Sequence, residues 1–586
     1  MLAAEVSAQV TSLSEPFEPA EQIVEEIEQA HDNGELNLDQ SHLQKFYAAF
    51  EPDRLMPRFR SGRPIRPLRC ATPLITAYRS DREQLDAATR SELDGYVENT
   101  CPPAPAADRT YLSDSGRFLI YYSLEGDHAV PESGYSETGV PDYVRKAAFA
   151  ADSSWSHLIG TLGFEDPVPS PETDPYEIHF RNFGFYGVTC SDGPERSWFV
   201  IHSNFEGFPA NGHPEGNPTG SLYATIGHEF KHASQYVTNG WRGPEGELTR
   251  AWIEMDAVMI EEILFDDVND YYNYLKTDLQ ESTPTSGSIF GNPSIPIPRP
   301  TPTAYAQATW MLYFSEKFGM PFWVDVWSRF IDEPEKPFLA AISESLEVLN
   351  TDLATEHVEN LAWHLASGPS FSGNQYGFSE REHYPDASTR ANFVTVPDSL
   401  VTPASLSPMA GHFMQIDAGY WRGRPRILLE HDHEGARVGL LGHFRDGNIS
   451  YMEAPAGQLQ SELTMDWEWG DLEKIGIVVA NTDREQFLTY QFRVESAAPD
   501  EIALYQNQPN PFRQSTTIQF AIDSPSDVRL EIFDVLARRV VTLAEGLHLP
   551  GVHAVLFEPG ELASGVYIYR LVTDRQVLSK KMMLIK

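Results

Sequence analysis

One stretch of the chain repeats apolar residues at the spacing of an amphipathic helix. Its apolar positions follow one another in steps of four, four, three and four: Leu222, Ile226, Phe230, Ala233 and Val237. This period predicts a helix with one buried stripe. Asn239-Gly240 comes directly afterwards and is typical of a helix end. We therefore expect a helix across residues 222–237, with polar residues on its other faces.

Three polar residues lie off this stripe and form the H-E-x-x-H pattern: His228, Glu229 and His232. Positions i and i+4 share one helix face, so both imidazoles could bind one metal ion. His228 lies about 200° around the helix from Ile226, which places the imidazoles away from the stripe and toward a cleft. Glu229 could then take a proton from a metal-bound water. The alternative is a helix with two solvated histidines.

A second helical stretch carries a further acidic residue. Residues 251–264 have an apolar stripe formed by Trp252, Met255, Met259 and Ile263. Glu254 lies on the opposite face, 22 residues after His232, and Glu261 follows seven residues later over the same face. Catalytic zinc usually takes three protein ligands and leaves a fourth position for water. Glu254 is therefore the candidate third ligand.

Together these segments resemble a known type of metal site. The pattern H-E-F-x-H followed by W-x-E-x-x-A is similar to the gluzincin arrangement, in which a Glu on a second helix completes a zinc site. More narrowly, HEFKHASQ, WIEMDAVMIEE and DDVNDYYNYL resemble a family of secreted bacterial metalloproteases over about residues 20–370. The resemblance implies His228, His232 and Glu254 as ligands of Zn²⁺, and Glu229 as the general base.

The residues after Glu254 depart from those relatives. Met255-Asp256 stands where the family often has Gly or Ala and then Thr, and Val258 stands where thermolysin-like enzymes place an Asp that orients a histidine. A carboxylate that orients a ligand could come from Asp256 or Glu261 instead. A solvated helix face is the alternative for both.

A zincin also needs a group that stabilises the oxyanion, commonly Tyr or His. Three residues of the mostly helical region after the motif are candidates: Tyr271, Tyr305 and His364. A buried structural role is the alternative for each.

Before the motif, helix and strand patterns mix. Residues 18–60 predict two helices and resemble the N-terminal segment of the same family, with a propeptide-like role and a simple helical lid as the two options. Runs at residues 116–124, 176–180 and 197–203 predict strands. We expect residues 197–203 to be the edge strand that binds substrate backbone. Residues 140–163 predict a helix.

After about residue 371 the pattern changes to short strands separated by turns, which is typical of an all-β sandwich up to about residue 498. The last segment contains PNPF (509–512), then IFDVLAR, LASGVYIYRL and KKMMLIK. These motifs closely resemble the C-terminal sorting domain of the type IX secretion system. The resemblance implies an immunoglobulin-like sandwich, the type IX secretion machinery as partner, and release or attachment at the cell surface. The alternative is a β-sandwich adhesion module.

Composition limits the functional classes. Lys and Arg total 43 against 85 Asp and Glu, a formal net charge of −42, which argues against nucleic acid or an anionic membrane as partner. No apolar run predicts a transmembrane segment. The acidic excess suggests a high-salt habitat, with an ordinary acidic secreted protein as the alternative. Residues 1–15 lack the features of a signal peptide, so we expect a signal upstream of this start or one already removed.

The three cysteines are Cys70, Cys101 and Cys190. Cys70 and Cys101 flank a short helical segment, so a disulfide between them is one option, which would leave Cys190 free or buried. None of the three has the sequence spacing of a metal site.

The expected fold class is multidomain, with an α+β zincin-like catalytic domain followed by two all-β sandwich domains. The expected boundaries are a propeptide-like segment at 1–60, a metalloprotease domain at 61–370, a β-sandwich at 371–498 and a sorting domain at 499–586. The predicted function is a secreted or surface-attached zinc endopeptidase that hydrolyses protein or peptide substrates through a metal-activated water. The alternatives are a surface binding or adhesion protein on a catalytically silent zincin scaffold, and a zinc peptidase whose sandwich delivers one particular substrate.

Overall fold

The structure is a computed structural model that describes most of the chain from Glu18 to Lys586. The described part leaves out residues 61, 64, 103–106, 133, 135–138, 169–173, 194–195, 300–302, 334, 372–374, 394–398, 401–403, 420, 455–459 and 498–499. Residues 1–15, on which the signal-peptide expectation rests, also lie outside it.

The chain divides into two compact units. The first unit comprises Met1–Asn292, Ile297–Leu353 and Glu382–Asp386. The second comprises Pro293–Pro296, Ala354–Arg381 and Ala387–Lys586.

The first unit contains α-helices, strands and shorter helical turns. Its α-helices are α1 (Ala20–Asp32), α2 (Leu38–Phe50), α3 (Thr72–Asp81), α4 (Ala87–Thr100), α5 (Asp142–Trp155), α6 (Asn217–Asn239), α7 (Glu247–Leu264), α8 (Tyr272–Leu275), α9 (Thr309–Phe318), α10 (Met320–Asp332) and α11 (Phe338–Val348). Its strands are β1 (Glu18–Pro19), β2 (Ile65–Arg66), β3 (Leu68–Cys70), β4 (Arg109–Leu112), β5 (Phe118–Tyr122), β6 (Tyr176–Arg181), β7 (Phe185–Ser191) and β8 (Ser197–His202). A π-helix continues α5 at Ser156–Leu162, and 3-10 helices lie at Pro52–Arg54, Pro57–Phe59, Arg82–Gln84 and Thr303–Gln307.

Six of these strands form one mixed sheet in the order β3-β7-β8-β6-β5-β4, while β1 and β2 pair separately. The helix α6 packs against β7 and β8 on one side and against α5 and α7 on others. It starts with Pro218 in its first turn and ends at Gly240, which has the left-handed φ of 65° that favours glycine. Because the middle of α6 is covered by a sheet and by helices, its polar residues His228, Glu229 and His232 are buried as well as the apolar stripe from Leu222 to Ala233, whereas Val237 near the helix end is exposed.

The prediction that residues 197–203 form the sheet edge is wrong. The strand β8 lies between β7 and β6, so both of its hydrogen-bonding sides are occupied. A strand buried on both faces is a nearly continuous apolar run, and residues 198–201 are such a run. The edge strand next to β7 is β3. Its three residues are too few to show the alternation of apolar and polar residues that predicts a strand.

The N-terminal helices share a hydrophobic core with the sheet. Ala20 of α1 and Phe46 of α2 belong to the same buried cluster as Leu68, Phe185 and Val200. An Asn37 capping box begins α2, which explains the helix start. Residues 18–60 therefore contribute to the core of the first unit.

The disulfide joins Cys101 to Cys190, and Cys70 is a buried free thiol. The Cys70–Cys101 option is thus wrong. Cys101 follows the end of α4, and its Cα lies 5.6 Å from the Cα of Cys190 on β7, within the range that a disulfide spans. The chain leaves β3 at Cys70, passes through α3 and α4, and brings Cys101 next to β7 rather than back to β3. The strand β7 was not predicted from the sequence, so Cys190 was not recognised as the partner.

The second unit is mostly β-structure. Its helices are α12 (Leu353–Leu365), which begins at the last residue of the first unit's central segment, and a 3-10 turn at Pro369–Phe371. Its strands are β9 (Ala391–Phe393), β10 (Ser399–Leu400), β11 (Ala404–Leu406), β12 (Ala410–Asp417), β13 (Pro425–His431), β14 (Ala436–Phe444), β15 (Ile449–Glu453), β16 (Gln460–Thr464), β17 (Leu472–Asn481), β18 (Leu488–Ser496), β19 (Ala503–Leu504), β20 (Thr516–Ile522), β21 (Ser526–Phe533), β22 (Arg539–His548), β23 (Gly551–Phe557), β24 (Gly565–Val572) and β25 (Val577–Leu584).

These strands form two sandwiches. One pairs the sheet β10-β18-β13-β16, with β11 also on β18, with the sheet β15-β14-β17-β12-β9 across a shared core. The other pairs β19-β20-β23 with β22-β21-β24-β25. The helix α12 packs on the first sandwich, where Gly411 leaves room for Leu361: a Cβ on Gly411 would lie 2.6 Å from Leu361 Cδ1. Taken over both units, the described chain is a multidomain α+β protein with a β-sandwich C-terminal region. Within the described residues, no helix is both long and apolar enough to cross a membrane.

We expect Gly187→Ala to weaken the contact between the sheet and α6. A Cβ at Gly187 would lie 2.7 Å from Thr225 Cγ2 and 2.8 Å from Glu229 Oε1, and such overpacking costs about 1–3 kcal/mol of unfolding free energy. Gly95→Ala is the control, because a Cβ there meets nothing within 4 Å and alanine favours the helix by about 0.5–1 kcal/mol. The midpoints of urea denaturation, monitored by tryptophan fluorescence, are compared for the wild type and the two variants. A midpoint for Gly187→Ala at or above that of the wild type would contradict the packing argument.

Candidate metal centre

Four side chains from three elements of the first unit converge on one point: Cys70 of β3, His228 and His232 of α6, and Glu254 of α7. Each offers one ligand atom, and all four atoms lie within 4.8 Å of one another. His228 Nε2 is 3.3 Å from Glu254 Oε2, and His232 Nε2 is 3.1 Å from Glu254 Oε1. Bonds of about 2.0–2.3 Å to a tetrahedral zinc ion would separate its ligand atoms by roughly 3.3–3.8 Å. The spacing suits one small cation.

The hydrogen bonding of these atoms tests whether a metal fits. His228 Nε2, His232 Nε2 and Glu254 Oε2 are buried, and no hydrogen bond reaches them from any residue that the structure describes. Buried polar atoms without partners are rare because desolvating them is costly. One bound cation would satisfy all three at once. Imidazole and carboxylate donors suit zinc among the common divalent metals.

The remaining imidazole nitrogens are held by partners that orient the rings. His228 Nδ1 lies 2.6 Å from Glu261 Oε1, and His232 Nδ1 lies 2.7 Å from Gln235 Oε1. Gln235 in turn donates to Asp256 Oδ2 at 2.7 Å. Glu261 therefore contacts a candidate ligand directly, whereas Asp256 acts through Gln235. The sequence reasoning missed Gln235, although its position three residues after His232 placed it on the same helix face.

Glu229 lies beside this cluster with one oxygen held. Its Oε2 accepts a hydrogen bond of 2.7 Å from Thr189 Oγ1 of β7, while its Oε1 is buried without a partner within the described part of the chain. Burial raises the pKa of Glu229, and the nearby imidazoles of His232 and His228 partly oppose this. A raised carboxyl pKa suits a group that accepts and returns a proton near neutral pH.

Charge within the cluster is balanced between imidazole and carboxylate. Burial would lower the pKa of His228, but Glu254 and Glu261 outweigh it and raise that pKa to about 9. Burial would raise the pKa of Glu254, but His232 and His228 lower it to about 2. A proton thus compensates Glu254 near neutral pH, and a metal ion would take the place of that proton.

Glu261 is itself fixed by Arg69, the residue before Cys70. The Arg69 guanidinium forms an ion pair with Glu261, and its Nη1 lies 2.6 Å from Asp270 Oδ2. The Arg69 amide donates to Glu21 Oε1 of α1 at 3.0 Å. Burial raises the pKa of Asp270 to about 6 despite Arg69. The partner that orients His228 is therefore connected to the N-terminal helix.

The three oxyanion candidates lie in different places. The Tyr305 ring centroid is 6.3 Å from that of His228, and its buried hydroxyl has no hydrogen-bond partner among the described residues. The Tyr271 hydroxyl is 2.8 Å from the Tyr384 hydroxyl. His364 belongs to α12 in the second unit, and its Nδ1 lies 2.8 Å from a main-chain carbonyl of that helix. Tyr305 is thus the candidate that lies next to a proposed ligand.

The cluster is enclosed. Its four side chains belong to residues that are at most 3 % exposed, although the sequence pattern predicted that the imidazoles face a cleft. The polar face of α6 is covered by α7 and by the strands β3 and β7. The imidazoles of His228 and His232 are therefore buried, although they lie on a different helix face from the apolar stripe.

Comparison with protein families identifies the end of the chain. Residues 508–586 match the family described as the secretion system C-terminal sorting domain, which confirms the predicted type IX sorting domain. The protein is therefore secreted or carried to the cell surface, and the secretion machinery is one of its partners. No curated protein matches the chain.

Three solved structures share short regions with it. PorZ, a type IX secretion component of Porphyromonas gingivalis, is 17 % identical over 18 % of this chain and 15 % of its own, with a TM-score of 0.12. A β-1,2-glucanase from Parabacteroides distasonis is 8 % identical over 31 % and 32 %, with a TM-score of 0.13. The PBSX exported protein XepA is 10 % identical over 32 % and 80 %, with a TM-score of 0.14. The chain thus spans less than a sixth of PorZ, and these TM-scores are too low to support a functional comparison.

We expect Glu261→Gln to weaken zinc binding by about 10–100-fold, because the neutral amide orients His228 less strongly than the carboxylate. Competition with a chromogenic zinc chelator measures the affinity. Glu83→Gln is the control, since that carboxylate is exposed and pairs with Arg82 and Arg90 at the surface. Equal zinc affinities for the two variants would show that Glu261 does not support the metal centre.

Proposed function

We propose that the first unit is a zinc-dependent endopeptidase that the sorting domain directs to the cell surface. The observation that carries this proposal is the convergence of His228, His232 and Glu254, with unsatisfied buried atoms facing one another and Glu229 at their side. The resemblance of this region to secreted metalloproteases supports the same chemistry.

His228, His232 and Glu254 would hold the ion. A bound zinc ion supplies a Lewis acid and lowers the pKa of water at its open position. Glu229 would accept the proton of the attacking water on Oε1 and return it to the leaving amine. Thr189 favours this role because its hydrogen bond to Oε2 keeps the carboxylate in one orientation.

Tyr305 would donate its hydroxyl proton in a hydrogen bond to the oxyanion that forms at the substrate carbonyl. Two observations favour Tyr305: its ring lies next to His228, and its buried hydroxyl is not engaged by another described residue. Burial raises its pKa well above the usual value, so the hydroxyl keeps its proton at neutral pH.

The enclosure of the cluster favours a second candidate function. A buried metal with no exposed ligand stabilises a fold, and a surface binding protein could retain such a site without turnover. Its working parts would then be the β-sandwiches of the second unit. The position of Glu229 beside the three ligands argues against this alternative, because a structural site does not need a general base.

We expect Glu229→Gln to keep its zinc and to lose at least about 100-fold in peptide hydrolysis, because the amide cannot accept the proton. Hydrolysis of a mixed peptide library by the full chain, at low and high salt and with zinc content measured, tests this. Glu83→Gln again provides the control and should retain the wild-type rate. Cys70→Ala is included because Cys70 lies in the same cluster as the three proposed ligands. If the wild type and Cys70→Ala both hold zinc and neither cuts any peptide, the endopeptidase proposal is refuted and the surface binding protein is the better proposal.

A further inference from the structure

The position of Cys70 follows from strand pairing. The strand β3 runs parallel to β7, and Cys70 is in register with Gly187. Residues in register on neighbouring strands point to the same face of a sheet. A Cβ on Gly187 would point at Glu229 and Thr225 of α6, so the Cys70 side chain faces the same helix. This pairing brings the thiol to the three candidate ligands.

The cluster offers four ligand atoms, which is the number that fills the coordination of a tetrahedral zinc ion and leaves no position for water. Catalytic zinc sites have three protein ligands and one open position, whereas structural sites have four protein ligands. Cys70 Sγ supplies a fourth donor within 4.8 Å of the other three. In addition, His228 Nε2, His232 Nε2 and Glu254 Oε2 are buried and make no hydrogen bond within the described structure, although the imidazoles lie within ion-pair distance of the Glu254 carboxylate. Thiolate is a preferred ligand of zinc.

We propose that Cys70 is a fourth zinc ligand that closes the catalytic site, so that the enzyme folds in a latent form. The site would gain an open position only when the segment Leu68–Cys70 withdraws. As metal binds, the Sγ–H bond breaks, the thiolate coordinates the ion, and the proton is released to solvent. This inference rests on the proposed zinc site and adds its regulation.

The segment is held at its middle residue, Arg69, and directly after its last residue. The Arg69 side chain pairs with Glu261 and Asp270, and its amide donates to Glu21 of α1. The Ala71 amide donates to the Gly187 carbonyl at 3.1 Å. These bonds make the closed form the stable one and connect it to the N-terminal helices.

The segment also occupies the place of an extended substrate. Extended peptides add to a free strand edge through main-chain hydrogen bonds. The edge of β7, the strand that carries Thr189 and Gly187 beside Glu229, is filled by β3. The strand β3 therefore blocks both the metal position and the adjacent backbone edge, which is what a built-in inhibitor requires.

Cobalt substitution of the full chain tests the ligand without any assay of activity. Cobalt(II) bound by a thiolate absorbs strongly in the near ultraviolet through sulfur-to-metal charge transfer, whereas imidazole and carboxylate ligands do not. Wild type should bind one cobalt ion and show this band. Cys70→Ser should bind one cobalt ion and lose the band. Since Cys101 and Cys190 form a disulfide, Cys70 is the source of any such signal.

Hydrolysis by Cys70→Ala then tests latency. This variant should cut the peptide library at least about tenfold faster than wild type, because loss of the thiolate–metal bond lets the segment Leu68–Cys70 withdraw more often. The double variant Cys70→Ala/Glu229→Gln should lose that gain. A rate at or below that of wild type in a folded, zinc-loaded Cys70→Ala would overturn the latent form.

The outcomes separate the two proposals. If the wild type binds one cobalt ion without the charge-transfer band, Cys70 is not a ligand and the three-residue site remains. If the folded Cys70→Ser variant binds no metal, the thiol is required to hold the ion, and its role as a displaceable ligand is refuted. If the wild type binds neither zinc nor cobalt, the metal centre itself is wrong.

Discussion

Buried charge must be compensated, and this constraint shapes the first unit around α6. Four consecutive or nearly consecutive ionisable residues of that helix are buried: His228, Glu229, Lys231 and His232. A charge removed from water costs several kcal/mol unless a partner compensates it. The facing helix α7 supplies the partners, since Glu254 and Glu261 contact the imidazoles and Asp256 lies 3.3 Å from the Lys231 ammonium. The two helices therefore depend on each other for more than apolar contact.

The same network reaches the N-terminal segment. Arg69 compensates Glu261 and Asp270, and Glu21 of α1 accepts the Arg69 amide hydrogen. Ion pairs and hydrogen bonds therefore connect the candidate ligand His228 to α1 through Glu261 and Arg69. The sequence left two options for residues 18–60, a propeptide-like segment and a helical lid. In both options, α1 would act on the cluster through the contact between Glu21 and Arg69.

Local periodicity predicted the helices that carry the motif, because long amphipathic segments such as α6 and α7 express their period within the sequence itself. It also placed Glu254 and Glu261 on one face of α7, and the structure brings both to His228. Cys70 could not be found in this way. Its place depends on pairing between a three-residue strand and β7, a contact between distant segments that no local pattern encodes. The wrong disulfide prediction has the same cause, because Cys190 lies on β7, a strand that local patterns did not predict. The pairing of β3 with β7 also explains why the imidazoles are enclosed and do not face the predicted cleft.

Enclosure of the cluster sets a requirement on any hydrolytic function. An endopeptidase must admit an extended chain to its metal, so the observed rate is the intrinsic rate multiplied by the fraction of molecules in which the site is open. The ion pairs of Arg69 would oppose opening, because opening would leave Glu261 and Asp270 buried without their partner. In the proposed enzyme, a closed site would limit hydrolysis while the sorting domain directs the chain to the cell surface. The charge network that stabilises the fold would then also set the activity.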